Sequence, residues 1–120
     1  MLFLRLRWVY QSLVFLLLYH LLKGDKKSLQ EAEYALFSAK IYETDEPYLY
    51  RLMIGLYCKT KDENKRLLAR AEESYLIGTK NVYSLATQVK DNSKKYTTEW
   101  QRADDILNLQ SNQPQPPQQM

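Results

Sequence analysis

Residues 2–22, LFLRLRWVYQSLVFLLLYHLL, form the most apolar stretch of the chain, and the rest of the fold depends on what covers it. No formal charge occurs from residue 8 to residue 22. A helix of that length is roughly 22 Å long, against about 30 Å for a bilayer core. Residues 2–4 lengthen the apolar run, and Arg5 and Arg7 can extend their charged ends to lipid headgroups. The stretch therefore predicts a single transmembrane helix at residues 1–22.

Two other interpretations of this stretch stay open. It can be a helix covered by partner proteins in a larger assembly, or a secretory signal peptide, although no small-residue cleavage site follows in YHLLKG at residues 19–24. Its polar residues are scattered around the helix, which argues against a helix lying flat on a membrane. The residues predicted to form the anchor are Trp8, Val9, Leu13, Val14, Phe15, Leu16, Leu17, Leu18, Leu21 and Leu22.

The composition of the 120 residues predicts an all-α protein with one domain after the first segment. Only three glycines and four prolines occur, and residues that favour helices dominate. We expect a charged hinge at residues 23–27, a helical domain at 28–109 and a disordered Pro/Gln-rich tail at 110–120. A net charge of +3 without a basic stripe argues against nucleic-acid binding.

The second predicted helix runs from Ser28 to Tyr42. Ser28 and Glu31 have the spacing of a capping box, in which each side chain pairs with the other's backbone N–H group. One apolar stripe is expected to pack in the core and consists of Leu29, Ala32, Leu36 and Ala39. A second stripe lies beside it and consists of Tyr34, Phe37 and Ile41.

The third predicted helix spans residues 46–59, with Asp45 as its cap. It is apolar on nearly all sides, which is typical of a central helix, and its core candidates include Leu52 and Ile54. Gly55 is expected where another helix crosses. Cys58, the single cysteine, is expected to be a small buried apolar residue.

The second and third helices are predicted to form a small helical hairpin. A long fourth helix, packed on that hairpin, is predicted after Thr60, which begins a second capping box. We expect this helix to be bent or broken near residues 90–97, with Thr98 capping the part that follows Lys95. Trp100 belongs to the apolar set that resumes there. The predicted seam of the helix has coiled-coil spacing and consists of Leu68, Ala71, Tyr75, Gly78, Val82, Leu85 and Val89.

Residues 32–39 resemble the second helix of a tetratricopeptide repeat. That helix carries Ala-x3-Phe-x2-Ala, and Ala32, Leu36 and Ala39 occupy those positions here. The resemblance covers about one helix. The proline expected soon afterwards comes late, at Pro47, and the Leu-Gly-x-x-Tyr pattern does not recur around Gly55. The resemblance implies antiparallel packing of helix pairs.

No set of residues suited to catalysis is apparent. His20 is the only histidine and lies in the predicted anchor, and Cys58 has no other histidine that could act as its base. Three isolated glycines cannot form a phosphate-binding loop. We therefore expect no enzyme activity, no cofactor, no metal and no small-molecule substrate.

The leading functional hypothesis is an accessory subunit of a multi-protein membrane complex, single-pass, in the mitochondrial inner membrane or alternatively in a bacterial inner membrane. Its expected partners are the other subunits and the lipid bilayer. The alternative hypothesis is a membrane-tethered helical adaptor that binds a peptide or a partner helix, as tetratricopeptide-like helix pairs do. Two further hypotheses are a proton-conducting or enzymatic role for His20 and self-assembly through the fourth helix.

Overall fold

The structure is a computed structural model that describes residues 2–42 and 45–112, with side chains described for residues 7–42 and 45–109. Within these ranges the chain forms six helices and no strand, so the predicted all-α class is confirmed. Each helix packs against the next one along the chain, and the fourth also contacts the sixth. The helices are α1 (Leu2–Lys23), α2 (Lys26–Tyr42), α3 (Pro47–Thr60), α4 (Glu63–Ile77), α5 (Val82–Asn92) and α6 (Thr98–Asn112).

The buried apolar side chains form two clusters. The first lies between α1, α2 and α3, with Ala69 contributed by α4, and includes Leu17, Leu21, Ala32, Ala35, Leu36, Ala39, Leu49, Met53 and Leu56. The second lies between α4, α5 and α6 and consists of Leu67, Ala71, Val82, Leu85, Ala86, Val89, Ala103 and Ile106. Because α4 contributes to both clusters, it connects the two halves of the molecule.

The predicted transmembrane helix at residues 1–22 is not supported. In the part of the chain that the structure describes, no helix combines the length and the apolar character that crossing a bilayer requires. Instead, α1 packs against α2 and buries Leu17 and Leu21 in the first cluster. At its end, the Lys59 ammonium from α3 donates a hydrogen bond to the Leu21 carbonyl at 2.9 Å. The connection to α2 is only Gly24 and Asp25, shorter than the predicted hinge.

Four helix starts differ from the predicted caps. Thr98 is the first residue of α6, so it does not precede and cap that helix. The carboxylate of Asp25, not Ser28, caps α2: it accepts hydrogen bonds from the Ser28 N–H at 2.8 Å and from the Ser28 hydroxyl at 3.1 Å. These bonds hold the pKa of Asp25 below its usual range. The Glu46 side chain, not Asp45, caps α3. Asp62, not Thr60, caps α4.

The predicted long fourth helix is wrong. It ends at Ile77, because Gly78 adopts the left-handed conformation with φ +79° and donates its N–H to the Ser74 carbonyl. The chain then turns through residues 79–81 and begins α5. The break predicted near residues 90–97 is present, between α5 and α6. Most of the predicted seam residues still meet, since α5 packs against α4 and buries Val82 with Ala71, whereas Gly78 is exposed at the end of α4.

The third predicted helix is present but is covered on one side only. Gly55 is exposed, and a Cβ atom added to it would meet nothing within 4 Å, so no helix crosses there and that prediction is wrong. Cys58 is exposed, not buried. At the other end of the chain α6 continues through Asn112, so residues 110–112 are helical. The rest of the predicted tail lies outside the described residues.

Candidate partner-binding groove

An open groove of about 490 Å³ lies between α2, α3, α4 and α6, and we call it the main groove. Its apolar part is built from Phe37 on α2, Met53 on α3, and Leu68 and Ala69 on α4. Phe37 is exposed, whereas Met53 and Ala69 belong to the first cluster and are fixed by the packing of α3 on α4. The groove therefore has a rigid apolar base and one exposed aromatic edge.

An ion pair connects α4 and α6 along the main groove. The Arg102 guanidinium donates two hydrogen bonds to one carboxylate oxygen of Glu72, with an Nε to Oε1 distance of 2.8 Å. The Glu72 side chain is nearly buried, and Arg102 is part exposed. The hydrogen bond to Glu72 raises the pKa of Arg102. Arg102 thus compensates the charge of the nearly buried Glu72 carboxylate, which would be destabilising if it were unpaired.

A buried tyrosine and a lysine form another part of the lining. The Lys40 ammonium lies 5.0 Å from the centre of the Tyr50 ring, within the range of a cation–π interaction. Burial, followed by the negative charge of Glu72, raises the pKa of Tyr50 to about 12. The charged residues around the groove carry both signs and are Lys40, Lys65, Arg102, Asp45, Glu72 and Glu99.

A second groove, of about 470 Å³, lies between α2, α3 and α4, and we call it the side groove. Tyr57 and Lys65 line both grooves, so the two are adjacent. The Tyr57 hydroxyl donates a hydrogen bond to Glu33 at 3.0 Å, and the Lys65 ammonium lies 4.0 Å from the same carboxylate oxygen. Burial, followed by the charge of Glu33 and this hydrogen bond, raises the pKa of Tyr57.

A second candidate surface is the outer face of α1, the side turned away from the first cluster. We define it by Trp8, Phe15, Tyr19 and Leu22, of which Trp8 and Phe15 are each 71% exposed and Leu22 is 84% exposed. Lys23 lies beside this face, with its ammonium 5.6 Å from the centre of the Tyr19 ring. Exposed large apolar side chains aligned along one helix mark a contact site more often than single exposed ones do.

The predicted anchor residues divide between the two sides of α1. Leu17 and Leu21 are buried, and Leu13, Val14 and Leu18 are half-buried. Trp8, Val9, Phe15, Leu16 and Leu22 are exposed.

The other predicted contact residues mostly lie in the two clusters. Ala32, Leu36, Ala39, Val82, Leu85 and Val89 are buried, whereas Leu29, Leu52, Ile54, Leu68, Tyr75 and Trp100 are half-buried. Leu68 alone among them lines the main groove. The sequence did not indicate Met53, Glu72 or Arg102 as groove residues. Glu72 and Arg102 are 30 positions apart, so no local pattern brings them together.

The described residues contain no group of three or more His, Cys, Asp or Glu side chains that could hold a metal ion. The His20 ring lies 5.2 Å from the Tyr19 ring, and its Nδ1 atom is buried without a hydrogen-bond partner. Neither His20 nor Cys58 lines either groove.

Comparisons with protein-family models, with curated proteins and with solved structures found no match for this chain. The resemblance to a tetratricopeptide repeat therefore rests on one helix of the sequence, in which Ala32, Leu36 and Ala39 are all buried in the first cluster.

Proposed function

We propose that the chain is a non-catalytic interaction subunit that binds a peptide or a helix of a partner protein in the main groove. The observation that carries this proposal is the open groove between four helices, with an apolar base and charges of both signs around it. An amphipathic segment fits these properties, since its apolar side chains would cover Met53 and Leu68 while its polar side chains stay near Lys40 and Glu99.

Preorganisation supports the same proposal. The base of the groove is formed by packed residues of α3 and α4, and the Arg102–Glu72 pair holds α6 against α4. Binding of a partner segment would then cost little conformational entropy in the groove, which favours binding. The volume lies in the range of ordinary ligand pockets, so an apolar anchor of one or two side chains is the expected occupant.

The test is binding of a library of amphipathic helical peptides to the purified chain, followed by NMR. We expect the bound peptide to shift the backbone signals of Met53, Leu68 and Arg102. Phe37→Glu should weaken binding by roughly tenfold or more, since it places a charge at an apolar contact. Tyr83→Glu is the matched control, because Tyr83 is also an exposed aromatic but lies on α5 outside the grooves.

The proposal fails if no peptide in the library shifts signals of the main groove. It also fails if Phe37→Glu and Tyr83→Glu bind the same peptide equally well. Shifts confined to the side groove would place the site elsewhere and would contradict the proposal as stated.

The accessory subunit of a membrane complex, which is the leading hypothesis from the sequence, is the second candidate. The exposed outer face of α1 favours it, because another subunit would cover Trp8, Phe15 and Leu22. We expect the chain to be extracted by mild detergent in a complex of fixed stoichiometry, which Phe15→Asp disrupts and Tyr83→Asp does not. A stable monomer that leaves the membrane fraction without partners would contradict it.

A further inference from the structure

The outer face of α1 carries a row of exposed apolar side chains on a helix whose opposite side is already packed, and Gln11 and Ser12 are exposed between Trp8 and Phe15. Trp8, Phe15 and Leu22 are seven positions apart, a spacing that drifts by only about 20° per step around a helix. Tyr19 fills the space between Phe15 and Leu22. The row is roughly 21 Å long. On the opposite side, Leu17 and Leu21 are in the first cluster.

The positive charge of the chain is concentrated beside this row. Residues 1–27 contain five Lys and Arg residues and one acidic residue, whereas residues 28–120 contain twelve basic and thirteen acidic residues. The net charge of the whole chain therefore originates in the segment that includes α1 and the start of α2. Arg7, Lys23, Lys26 and Lys27 are exposed there. The single acidic residue, Asp25, is engaged in capping α2.

We propose that the outer face of α1 lies flat on an anionic lipid bilayer, with its apolar row inserted at the boundary between headgroups and acyl chains. Trp, Phe and Leu on one side of a helix, together with basic residues, are the usual features of such helices. Trp8 and Tyr19 combine an apolar ring with a polar group, which suits the interface. Lys23, Lys27 and Arg7 would contact the lipid phosphates, whereas Lys26 lines the side groove and is not part of this surface. This inference goes beyond the proposed function and requires nothing in the main groove. It competes with the membrane-complex candidate for the same face, because a subunit that covers Trp8, Phe15 and Leu22 would leave none of the row for lipid. Flotation of the purified chain, which contains no other subunit, distinguishes the two.

The polar residues scattered around residues 2–22 argue from the sequence against a helix that lies flat on a membrane, and Gln11 and Ser12 are exposed near the row. A flat-lying helix in water would also need a polar side away from the lipid. In the folded chain that side faces α2 and the first cluster, so it is apolar for a different reason. The helix is apolar on most sides because two different surfaces cover it, the protein's own core and, in this proposal, the membrane.

The experiment is flotation of the purified full chain with vesicles of phosphatidylcholine alone and of phosphatidylcholine mixed with phosphatidylserine. We expect binding only to the vesicles that contain phosphatidylserine, and less binding at high salt. Phe15→Asp should abolish flotation. Tyr83→Asp should float as the wild type does, because Tyr83 is 68% exposed, comparable with Phe15, but lies on α5. Circular dichroism verifies that each variant is folded.

A charge variant and a fluorescence measurement test the two parts of the surface separately. Lys23→Glu combined with Lys27→Glu should lower the partition coefficient by at least roughly fivefold for each lysine. Lys80→Glu combined with Lys94→Glu is the control, since both lysines are exposed and outside residues 1–27. In a Trp100→Phe background, the emission of Trp8 should shift to shorter wavelength when anionic vesicles are added.

Three results would overturn the inference. The first is no flotation with either kind of vesicle, and the second is equal binding to neutral and anionic vesicles. The third is that the chain binds no vesicles but forms a concentration-dependent dimer that Phe15→Asp disrupts. A second copy of the chain would then cover the outer face of α1. Phe37→Glu, the groove variant, should float as the wild type does, so failure of the groove proposal and failure of this inference are distinguishable.

Discussion

Tyr50 and Tyr57 are buried ionisable residues of the grooves, and their ionisation is linked to stability. Burial raises the pKa of Tyr50 to about 12 and also raises the pKa of Tyr57. A tyrosine in the unfolded chain ionises near pH 10. Above that pH the unfolded chain releases a proton that the folded chain still holds. The contribution to stability is therefore complete below about pH 10 and is lost as the pH rises through the folded-state pKa.

Tyr50→Phe tests this linkage. In the wild type we expect Tyr50 to lower the free energy of unfolding by up to roughly 1.4 kcal/mol per pH unit between about pH 10 and pH 12. The variant cannot ionise at this position, so its stability should fall less steeply over the same range. Urea unfolding at several alkaline pH values measures both slopes. Tyr83→Phe, at an exposed position, should keep the wild-type slope, and an unchanged slope in Tyr50→Phe would contradict the linkage.

At the scale of the helices, two glycines have opposite roles. Gly78 ends α4 with φ +79°, a conformation that residues with a Cβ atom rarely adopt. Gly55 lies inside α3, where it is exposed and a Cβ atom would meet nothing within 4 Å. Glycine is thus favoured at position 78, although Lys61 adopts a similar φ of 62° at the end of α3, and glycine at position 55 only lowers the stability of the helix.

The same substitution at the two glycines should therefore have opposite effects. We expect Gly78→Ala to lower the free energy of unfolding by about 1–2 kcal/mol, because it forces alanine into the left-handed region. We expect Gly55→Ala to raise it by about 0.5–1 kcal/mol, because alanine reduces the conformational freedom of the unfolded chain. Thermal unfolding of both variants gives the signs, and two shifts in the same direction would disagree with these roles.

The helical content and many of the buried positions could be predicted because they depend on local spacing. The stripe Ala32, Leu36 and Ala39 repeats at helical intervals and is buried. The turn at Gly78 could not be predicted in the same way. The apolar spacing from Leu68 to Val89 is compatible with one long helix and also with two helices folded against each other. The packing of α5 against α4 distinguishes the two arrangements, and the helical spacing of the seam does not predict it.

The groove and the position of α1 were harder to predict for a related reason. Glu72 and Arg102 form their ion pair only after α6 has packed on α4. A membrane anchor and a core helix are both apolar, so the sequence of residues 2–22 alone does not distinguish them. In the structure Leu17 shares a cluster with Leu36 and Leu49, a contact that the sequence of α1 alone does not show.

At the scale of the whole molecule, α1 is part of the folded body and contributes to its stability. Leu17→Ala should lower the free energy of unfolding by about 2–4 kcal/mol, since it leaves a cavity in the first cluster. Phe15→Ala, on the exposed outer face, should change it by less than about 0.5 kcal/mol. Urea unfolding without detergent or lipid measures both. Equally small effects would indicate that α1 is a separate anchor.

Helix α4 lies between the two clusters, so local unfolding at either end of the molecule should leave it in place. Ala69 faces the first cluster, and Leu67 and Ala71 face the second. If either end of the molecule opens alone, one side of α4 keeps its contacts, and only complete unfolding frees both. The backbone amides of α4 should therefore exchange with solvent only through global unfolding, while the two ends open and close independently around it.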